Sequence, residues 1–382
     1  MKTIFPIEKF RELETPFYYY DLDLLSATLK EINRCVSGHP FVVHYAIKAN
    51  SNPRLLSEIR EAGLGIDCVS KGELKVAMDC GFSPRSIVFA GVAKTDSEIL
   101  AGIDAGIRCF NVESREELHI IDQLAASRGK IADVAIRVNP NIDAHTHKYI
   151  TTGLNENKFG VDMEMLDSVI SDALSLPNVN LIGLHFHIGS QITTMDAYQI
   201  LCSRINDLQE HVAQLGAKIE IINVGGGLGI DYDNPDNSIP PFEEYFNTFS
   251  QLLSVRPGQE VHFELGRSVV GQCGSLISRV IFVKEGVKKR FVMLDAGMTE
   301  LIRPALYQAH HVIQNLTPQS GDTAVYDVVG PICESSDCFG EDELLPVSHR
   351  GDFFALRSAG AYGEAMASQY NCRCLPRSYF SE

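Results

Sequence analysis

The stretch FVVHYAIKAN, residues 41–50, begins the pattern that decides the fold. It is a short run of β-branched and aromatic residues, and a segment of helical periodicity follows it. Seven further runs of this kind alternate with helical segments: GIDCVS from residue 65, IVFA from 87, CFNV from 109, VAIRVN from 134, LIGLHFH from 181, IEIINV from 219 and VHFEL from 261. Because strands that alternate with helices are typical of βα units, these runs predict eight parallel strands.

The helices between these strands have recognisable first residues. Ser70, Thr95 and Ser114 each follow a strand, and each has a glutamate three positions later, which is the spacing of a capping box. The helix after Ser114 is expected to end near Gly129. Eight such units over roughly 240 residues match the size of a (β/α)8 barrel, similar to the TIM barrel. A doubly wound sheet is the alternative, and it fits the count of strands less well.

The pattern changes after Arg267. Strand-like runs follow without helices of comparable length: SLISRVIFV, KRFVMLDAG, TAVYDVV and DFFALRSAG. They predict a second domain, a β-sandwich or β-barrel, and the early run TPFYYYD from Thr15 is expected to pair with it. The predicted domains are therefore a barrel over residues 24–270 and a β domain formed by residues 1–23 together with 271–382.

Composition excludes several classes of partner. The net charge is −16, and no run of Lys or Arg forms a basic stripe, so neither nucleic acid nor an anionic membrane is expected as a partner. No stretch approaches the length of a membrane span, and charges interrupt the N-terminal segment, so we expect a cytoplasmic protein. Cys372 and Cys374 have no companion cluster at zinc-site spacing, and we expect no metal.

Polar residues follow the ends of four predicted strands, where barrels of this kind place their chemistry. They are Lys48 after the first strand, His187 and Ser190 after the sixth, Gly225, Gly226 and Gly227 after the seventh, and Glu264, Gly266 and Arg267 after the eighth. The glycines leave backbone N–H groups open to a phosphate, although such a run on its own marks a tight turn equally often. A lysine in an apolar mouth suits Schiff-base chemistry, and a solvent-exposed lysine is the alternative. Pyridoxal phosphate accounts for the lysine, glycines, acid and imidazole together, whereas a phosphosugar leaves Glu264 unexplained.

Seven motifs in order carry a family resemblance: HYAIKAN, HFHIGSQ, NVGGGLG, ELGR, LIRPALY, GPICESSD and GAYGEAMASQYN. The chain resembles the fold-type III pyridoxal-phosphate-dependent decarboxylases, which share a barrel with the alanine racemases, from about Thr15 almost to its end. One departure is Leu265, where the family usually has proline.

The resemblance implies a role for each of these residues. Lys48 is expected to bind pyridoxal 5′-phosphate covalently, His187 to stack on the pyridine ring, and Glu264 to pair with the ring nitrogen. Cys333 is expected to deliver the proton that replaces the lost carboxylate, from a loop that reaches the cofactor of a partner subunit in a homodimer. The cofactor's phosphate and its surroundings are assigned to Ser190, Gly225, Gly226, Gly227, Gly266, Arg267 and Tyr362, and the substrate to Arg267, Arg303, Tyr307, Glu334 and Tyr362. A core histidine, a buried thiol and a surface Arg–Tyr pair are the alternatives for His187, Cys333 and the pair Arg303 and Tyr307.

The motif LIRPALY bears on the substrate. Members of the family act on ornithine, arginine or lysine, whose distal cation would be met by carboxylates. Arg303 and Arg267 suit a distal carboxylate, and Glu334 suits an ammonium group beside it. A substrate with an amino-acid group at each end is expected: meso-2,6-diaminopimelate, converted to L-lysine and carbon dioxide in the last step of lysine biosynthesis. The alternatives are another diamino acid or a carboxylated polyamine, a racemase on the same barrel, and a non-catalytic homologue that binds a partner protein.

Overall fold

The computed structural model of the protein describes residues 4–140, 142 and 158–382. Its strands, in chain order, are β1 Phe17–Tyr20, β2 Phe41–Ala46, β3 Gly65–Cys68, β4 Ile87–Phe89, β5 Cys109–Val112, β6 Ala132–Arg137, β7 Val179–His185, β8 Ile221–Asn223, β9 Glu260–Leu265, β10 Gly274–Glu285, β11 Arg290–Leu294, β12 Ile313–Asn315, β13 Thr323–Val329, β14 Cys338–Pro346, β15 Phe353–Leu356 and β16 Arg377–Phe380. Its helices are α1 Ile7–Phe10, α2 Leu22–Val36, α3 Pro53–Glu61, α4 Lys71–Asp79, α5 Asp96–Ala105, α6 Arg115–Ser127, α7 Leu166–Ser175, α8 Asp196–Gln214, α9 Phe242–Leu252, α10 Arg267–Val270 and α11 Arg303–Tyr307.

Strands β2 to β9 form a closed parallel barrel. Each pairs with the next along the chain, and β9 returns to pair with β2, with Phe41 opposite Val261 and His44 opposite Glu264. Each of the eight predicted runs overlaps one of these strands. The predicted (β/α)8 barrel is therefore confirmed, and closure excludes the doubly wound alternative because an open sheet would leave two edge strands.

The helix caps explain where two of the barrel helices begin. The hydroxyl of Ser70 accepts a hydrogen bond from the N–H of Glu73 at 3.1 Å, and that of Ser114 accepts from Glu117 at 3.2 Å. Each glutamate carboxylate turns back to an N–H just before its helix, as in a capping box. At the third predicted cap, the N–H of Thr95 donates to the carboxylate three residues later at 2.9 Å. These bonds satisfy N–H groups that a helix start would otherwise leave without partners.

The remaining strands form a second sheet, separate from the barrel, in the part of the chain that was predicted to be mostly β. Its order is β12, β15, β10, β11, β13 and β14, while β1 pairs antiparallel with β10 and parallel with β16. The expected pairing of the early aromatic run with this sheet is thus confirmed. Its side chains join the core of the sheet, where Phe10, Phe17, Tyr19, Ile277 and Phe353 pack together.

The chain divides into two compact units. The barrel unit contains Leu29–Gly229 and Pro241–Gly266, and the β unit contains Met1–Thr28, Ile230–Pro240 and Arg267–Glu382. The inclusion of Ile230–Pro240 in the β unit was not foreseen, because this segment lies between two barrel strands in sequence. Within that unit Arg357 donates to the carboxylate of Asp236 at 2.7 Å. The domain boundaries 24–270 and 1–23 with 271–382 stay a prediction. None of the described helices is long and apolar enough to cross a membrane.

Candidate active site

The closed barrel brings the predicted residues after its strands to one end of the barrel unit. Lys48 lies in a 3₁₀ turn, Ile47–Ala49, directly after β2, and its side chain is exposed. His187 and Ser190 follow β7, and both are half-buried. The three glycines follow β8, and Glu264 lies near the end of β9. Since all eight strands are parallel, these positions share the carboxyl-terminal rim, where barrel enzymes place their active sites.

Glu264 is held in the barrel interior by three side chains. Its Oε1 accepts from the amide of Asn223 at 2.8 Å and from the amide of Asn111 at 3.1 Å. Its Oε2 lies 3.2 Å from Nε2 of His185. Burial alone would raise the pKa of Glu264, but His185 and the hydrogen bond from Asn223 outweigh burial and hold the pKa well below its usual range. The site therefore contains a buried, ionised carboxylate, which suits a protonated ring nitrogen as its partner.

The glycine loop after β8 makes contacts that no other residue type would permit. A Cβ on Gly226 would lie 1.8 Å from the carbonyl oxygen of Glu264, and one on Gly225 would lie 2.2 Å from that of Phe186. Gly225 also has a φ of +71°, in the left-handed region that favours glycine. The loop therefore passes directly over neighbouring backbone, and its glycines present N–H and carbonyl groups without side chains of their own, as a phosphate cradle requires.

His187 is a neutral ring beside this loop. Its Nδ1 accepts a hydrogen bond from the N–H of Gly226 at 3.3 Å, so the ring proton is assigned to Nε2. Burial lowers the pKa of His187 well below its usual value, and the positive charges of Arg137 and Lys48 lower it further. A neutral, flat imidazole is the form suited to lie against an aromatic ring. The alternative of a histidine in an ordinary core is not supported, because the side chain is half-buried at the rim.

The mouth of the barrel is more polar than its sequence indicates. Asp67 on β3 is buried, and burial raises its pKa, with a further rise from the charge of Glu264. Burial also raises the pKa of Glu73, and in both carboxyl groups the charge of Lys48 opposes the rise. The expectation that Lys48 stands in an apolar mouth is therefore wrong, because carboxyl groups surround its position and its side chain is exposed.

Several residues of the rim were missed. Five of them lie near the ends of barrel strands, inside runs that were identified only as apolar: Asp67, Asn111, Arg137, His185 and Asn223. Each is a polar side chain in an otherwise apolar strand, and that interruption was the available signal. All five are buried. Because buried polar groups persist only with partners, such interruptions near the carboxyl ends of strands indicate a site.

A second group of predicted residues comes together in the β unit. Arg267 and Arg303 are the first residues of α10 and α11, and each side chain is buried. Their Nη1 atoms donate to the hydroxyl of Tyr232 at 2.6 and 2.9 Å. The guanidinium carbon of Arg267 lies 4.9 Å from the ring centroid of Tyr362. We call Arg267, Arg303, Tyr232 and His311 the arginine cluster. Because Arg303 is buried, the alternative of a surface pair of Arg303 and Tyr307 is excluded.

The motif GPICESSD forms an exposed turn between β13 and β14. Cys333 and Glu334 are both exposed, and the carboxylate of Glu334 accepts from the hydroxyl of Tyr370 at 2.7 Å. Asp337 fixes the base of the turn by accepting from the N–H of Ile332 at 2.7 Å. Neither Cys333 nor Glu334 makes a hydrogen bond to the arginine cluster within the described part of the chain. The alternative of a buried thiol for Cys333 is thereby excluded.

The barrel mouth fits pyridoxal phosphate. The amine suits the aldehyde of that cofactor, and the buried ionised carboxylate suits its ring nitrogen. The neutral imidazole suits the face of the ring, and the glycine loop suits the phosphate. The described residues contain no group of acids, histidines and cysteines that could hold a metal ion. Fold and site together define the class of barrel enzymes that use pyridoxal phosphate.

Comparison with known proteins narrows this class. The family model described as "Pyridoxal-dependent decarboxylase, pyridoxal binding domain" matches residues 22–271. A diaminopimelate decarboxylase of Bacteroides thetaiotaomicron is 59% identical over 384 residues, covering 100% of this chain and 99% of that protein. A crystal structure of diaminopimelate decarboxylase from Helicobacter pylori complexed with L-lysine has a TM-score of 0.93 at 38% identity. The match covers 98% of this chain and 94% of that one. The chain belongs to the pyridoxal-dependent decarboxylases, in the family of diaminopimelate decarboxylases, and the resemblance carried by the motifs is confirmed.

Proposed function

We propose that this protein decarboxylates meso-2,6-diaminopimelate to L-lysine and carbon dioxide, with pyridoxal 5′-phosphate bound at Lys48. The observation that carries the proposal is the environment of Arg303. This buried cation donates to a phenol and an imidazole, Tyr232 and His311, and makes no ion pair with a carboxylate in the described chain. A buried cation with neutral partners suits an incoming anion, and diaminopimelate brings a carboxylate at its distal end, which ornithine and lysine lack.

The barrel residues are assigned to the cofactor. Pyridoxal phosphate, when bound, supplies an electron sink for the pair released as carbon dioxide leaves. The Lys48 amine would bind the aldehyde, and the ionised Glu264 would hold a proton on the ring nitrogen. His187 would support one face of the ring through its neutral imidazole. The phosphate and its surroundings are assigned to Ser190, Gly225, Gly226, Gly227, Gly266, Arg267 and Tyr362.

The β unit is assigned to the distal end of the substrate. Arg267, Arg303, Tyr307 and Tyr362 would bind the distal carboxylate, and Glu334 would bind the ammonium beside it. A bidentate guanidinium–carboxylate contact is worth roughly 2–3 kcal/mol when lost, which is about thirty- to a hundredfold in catalytic efficiency. Preference for diaminopimelate over lysine and ornithine is expected to be of at least this order.

We further propose that the protein acts as a homodimer, in which Cys333 of one subunit delivers a proton at the site of the other. The exposed turn that carries Cys333 supports this, because a thiol on a surface turn is open to a second chain. The cytoplasm is the proposed compartment, and the ten cysteines, all free thiols, support a reducing environment.

A substrate panel tests the proposal. The purified protein, loaded with pyridoxal phosphate, is incubated separately with meso-diaminopimelate, L-lysine, L-ornithine and L-arginine, and carbon dioxide and amine products are measured. Release of carbon dioxide with formation of L-lysine is expected for meso-diaminopimelate alone. Turnover of lysine or ornithine at a similar rate would refute the substrate assignment, and epimerisation without carbon dioxide would indicate a racemase. A protein that binds the cofactor and turns over none of the four would favour the non-catalytic class.

A further inference from the structure

Tyr232 joins the two buried arginines. Its hydroxyl oxygen accepts from Nη1 of Arg267 at 2.6 Å and from Nη1 of Arg303 at 2.9 Å. The guanidinium carbon of Arg303 also lies 4.9 Å from the centroid of the Tyr232 ring. A phenol oxygen has two lone pairs, so both are used by the arginines. One neutral side chain thus fixes two cations.

His311 holds Arg303 from a second direction. Nη1 of Arg303 lies 2.9 Å from Nε2 of His311, and arginine cannot accept a hydrogen bond, so this nitrogen must be the acceptor. The ring proton then lies on Nδ1, which donates to the carbonyl oxygen of Arg357 at 2.9 Å. Burial, together with the charge of Arg303, lowers the pKa of His311 to about 3. The ring is therefore a neutral acceptor at neutral pH.

These two contacts decide which edge of Arg303 is left for a ligand. Both hydrogens of Nη1 are used, one by Tyr232 and one by His311. The remaining donors, on Nε and Nη2, form the edge that binds a carboxylate with two parallel hydrogen bonds. Neither partner carries a charge that would neutralise the cation. Burial lowers the pKa of Arg303, and the nearby charge of Arg267 lowers it as well, so an incoming anion relieves repulsion between the two cations.

We propose that Tyr232 is a positioning residue for substrate choice, acting through Arg303 so that its Nε and Nη2 edge meets the distal carboxylate. This inference rests on the proposed function and extends it to a residue that contributes no charge. His311 supports the same orientation from the other side. Removal of the Tyr232 hydroxyl should weaken the binding of carboxylate-bearing ligands.

The test uses Tyr232→Phe, with Tyr245→Phe as the matched control. Tyr245 has a buried hydroxyl without a hydrogen-bond partner among the described residues, so its loss should change nothing. Two probes, L-lysine and 1,5-diaminopentane, differ only in the carboxylate, and their affinities for the holoenzyme are measured by calorimetry. The unsubstituted protein and Tyr245→Phe should bind L-lysine at least about tenfold more tightly than 1,5-diaminopentane, and Tyr232→Phe should lose most of this preference.

A double-mutant comparison separates positioning from a general structural role. Tyr232→Phe should raise KM for meso-diaminopimelate about tenfold and leave kcat within about threefold. In an Arg303→Ala background, the same substitution should have a clearly smaller effect than in the unsubstituted protein, because only the contact with Arg267 then links Tyr232 to the ligand. His311→Gln, which keeps an acceptor, should retain the preference for L-lysine better than His311→Leu. The visible absorbance of the bound cofactor should be the same in all these variants.

Each outcome has a distinct meaning. If the unsubstituted protein prefers L-lysine and Tyr232→Phe keeps that preference, the positioning role is refuted while the proposed function stands. The positioning role is also refuted if the increases in KM caused by Tyr232→Phe and by Arg303→Ala multiply in the double mutant. If the unsubstituted protein does not distinguish the two probes, the carboxylate site of the proposed function fails, and the role of Tyr232 fails with it.

Discussion

The substitution Gly226→Ala probes the close approach of the glycine loop to the strand that carries Glu264. The added Cβ would lie 1.8 Å from the carbonyl oxygen of Glu264. To reach even 3.0 Å, the loop and β9 must separate by about 1.2 Å. The neighbouring hydrogen bond from the N–H of Glu264 to the carbonyl of Gly225, 2.8 Å long, would then stretch to about 4 Å and be lost.

Two consequences follow from this displacement. Overpacking costs about 1–3 kcal/mol and the lost hydrogen bond about 1 kcal/mol, so the free energy of unfolding should fall by about 2–4 kcal/mol. The Glu264 carboxylate should move with its backbone, and a misplacement of about 1 Å at a catalytic group costs about a hundredfold in rate. Cofactor affinity should fall as well, since the loop supplies the proposed phosphate cradle.

Gly321→Ala is the matched control for this substitution. Both glycines have ordinary φ values, but a Cβ at Gly321 meets nothing within 4 Å, so its stability should change by less than about 0.5 kcal/mol. Urea unfolding followed by circular dichroism gives the stability, and titration with pyridoxal phosphate followed by absorbance gives the affinity. If Gly226→Ala matches Gly321→Ala in both measurements, the close approach does not exist and the cradle argument is wrong.

Three further predictions concern charge and assembly. Glu264→Gln should still bind the cofactor but lose about a hundredfold or more in turnover, because an amide cannot hold a proton on the ring nitrogen; near-normal turnover would contradict this. Burial, with a contribution from the neighbouring His262, lowers the pKa of His44 to about 3. Since the unfolded chain takes up this proton near pH 6.5, the stability due to a neutral His44 is full above that pH and lost below it. When the pH falls from 6.5 to 5, the free energy of unfolding of His44→Asn, measured with urea, should therefore decrease by about 2 kcal/mol less than that of the unsubstituted protein. Equal decreases would refute the assignment of a neutral His44. Mixed inactive subunits carrying Lys48→Ala and Cys333→Ala should recover about a quarter of native activity, and no recovery despite proven subunit exchange would count against a shared site.

The barrel was predictable because its signals are local. Each strand is a short run, and a predicted cap for the next helix follows three of them within a few residues. The caps at Ser70 and Ser114 form the expected bonds. The same holds for Lys48, which immediately follows its strand. Alternation of strand and helix, repeated eight times, constrains topology strongly because parallel strands require crossover connections.

The environment of Glu264 depended on contacts that no local pattern reveals. Asn111 lies 153 positions away in sequence, on the opposite side of the barrel, and it reaches the carboxylate only because the sheet closes. The interrupted run CFNV gave a weak signal at this position. Tyr232 and His311 gave none, since each lies outside the motifs and acquires its role from the fold of the β unit. Side-chain networks of this kind depend on tertiary packing rather than on periodicity.

Reduction of the holoenzyme with sodium borohydride tests the central assignment most directly. Borohydride fixes the bond between the cofactor and the amine that holds it, and peptide mass spectrometry then locates the labelled residue. A single label on Lys48 is expected, and no label in Lys48→Ala. Lys94 is the informative contrast, because its side chain is buried and its amine forms an ion pair with Glu117 at 2.6 Å. A label on Lys94 or any other lysine, or no label although pyridoxal phosphate is bound, would refute the assignment of the cofactor to Lys48.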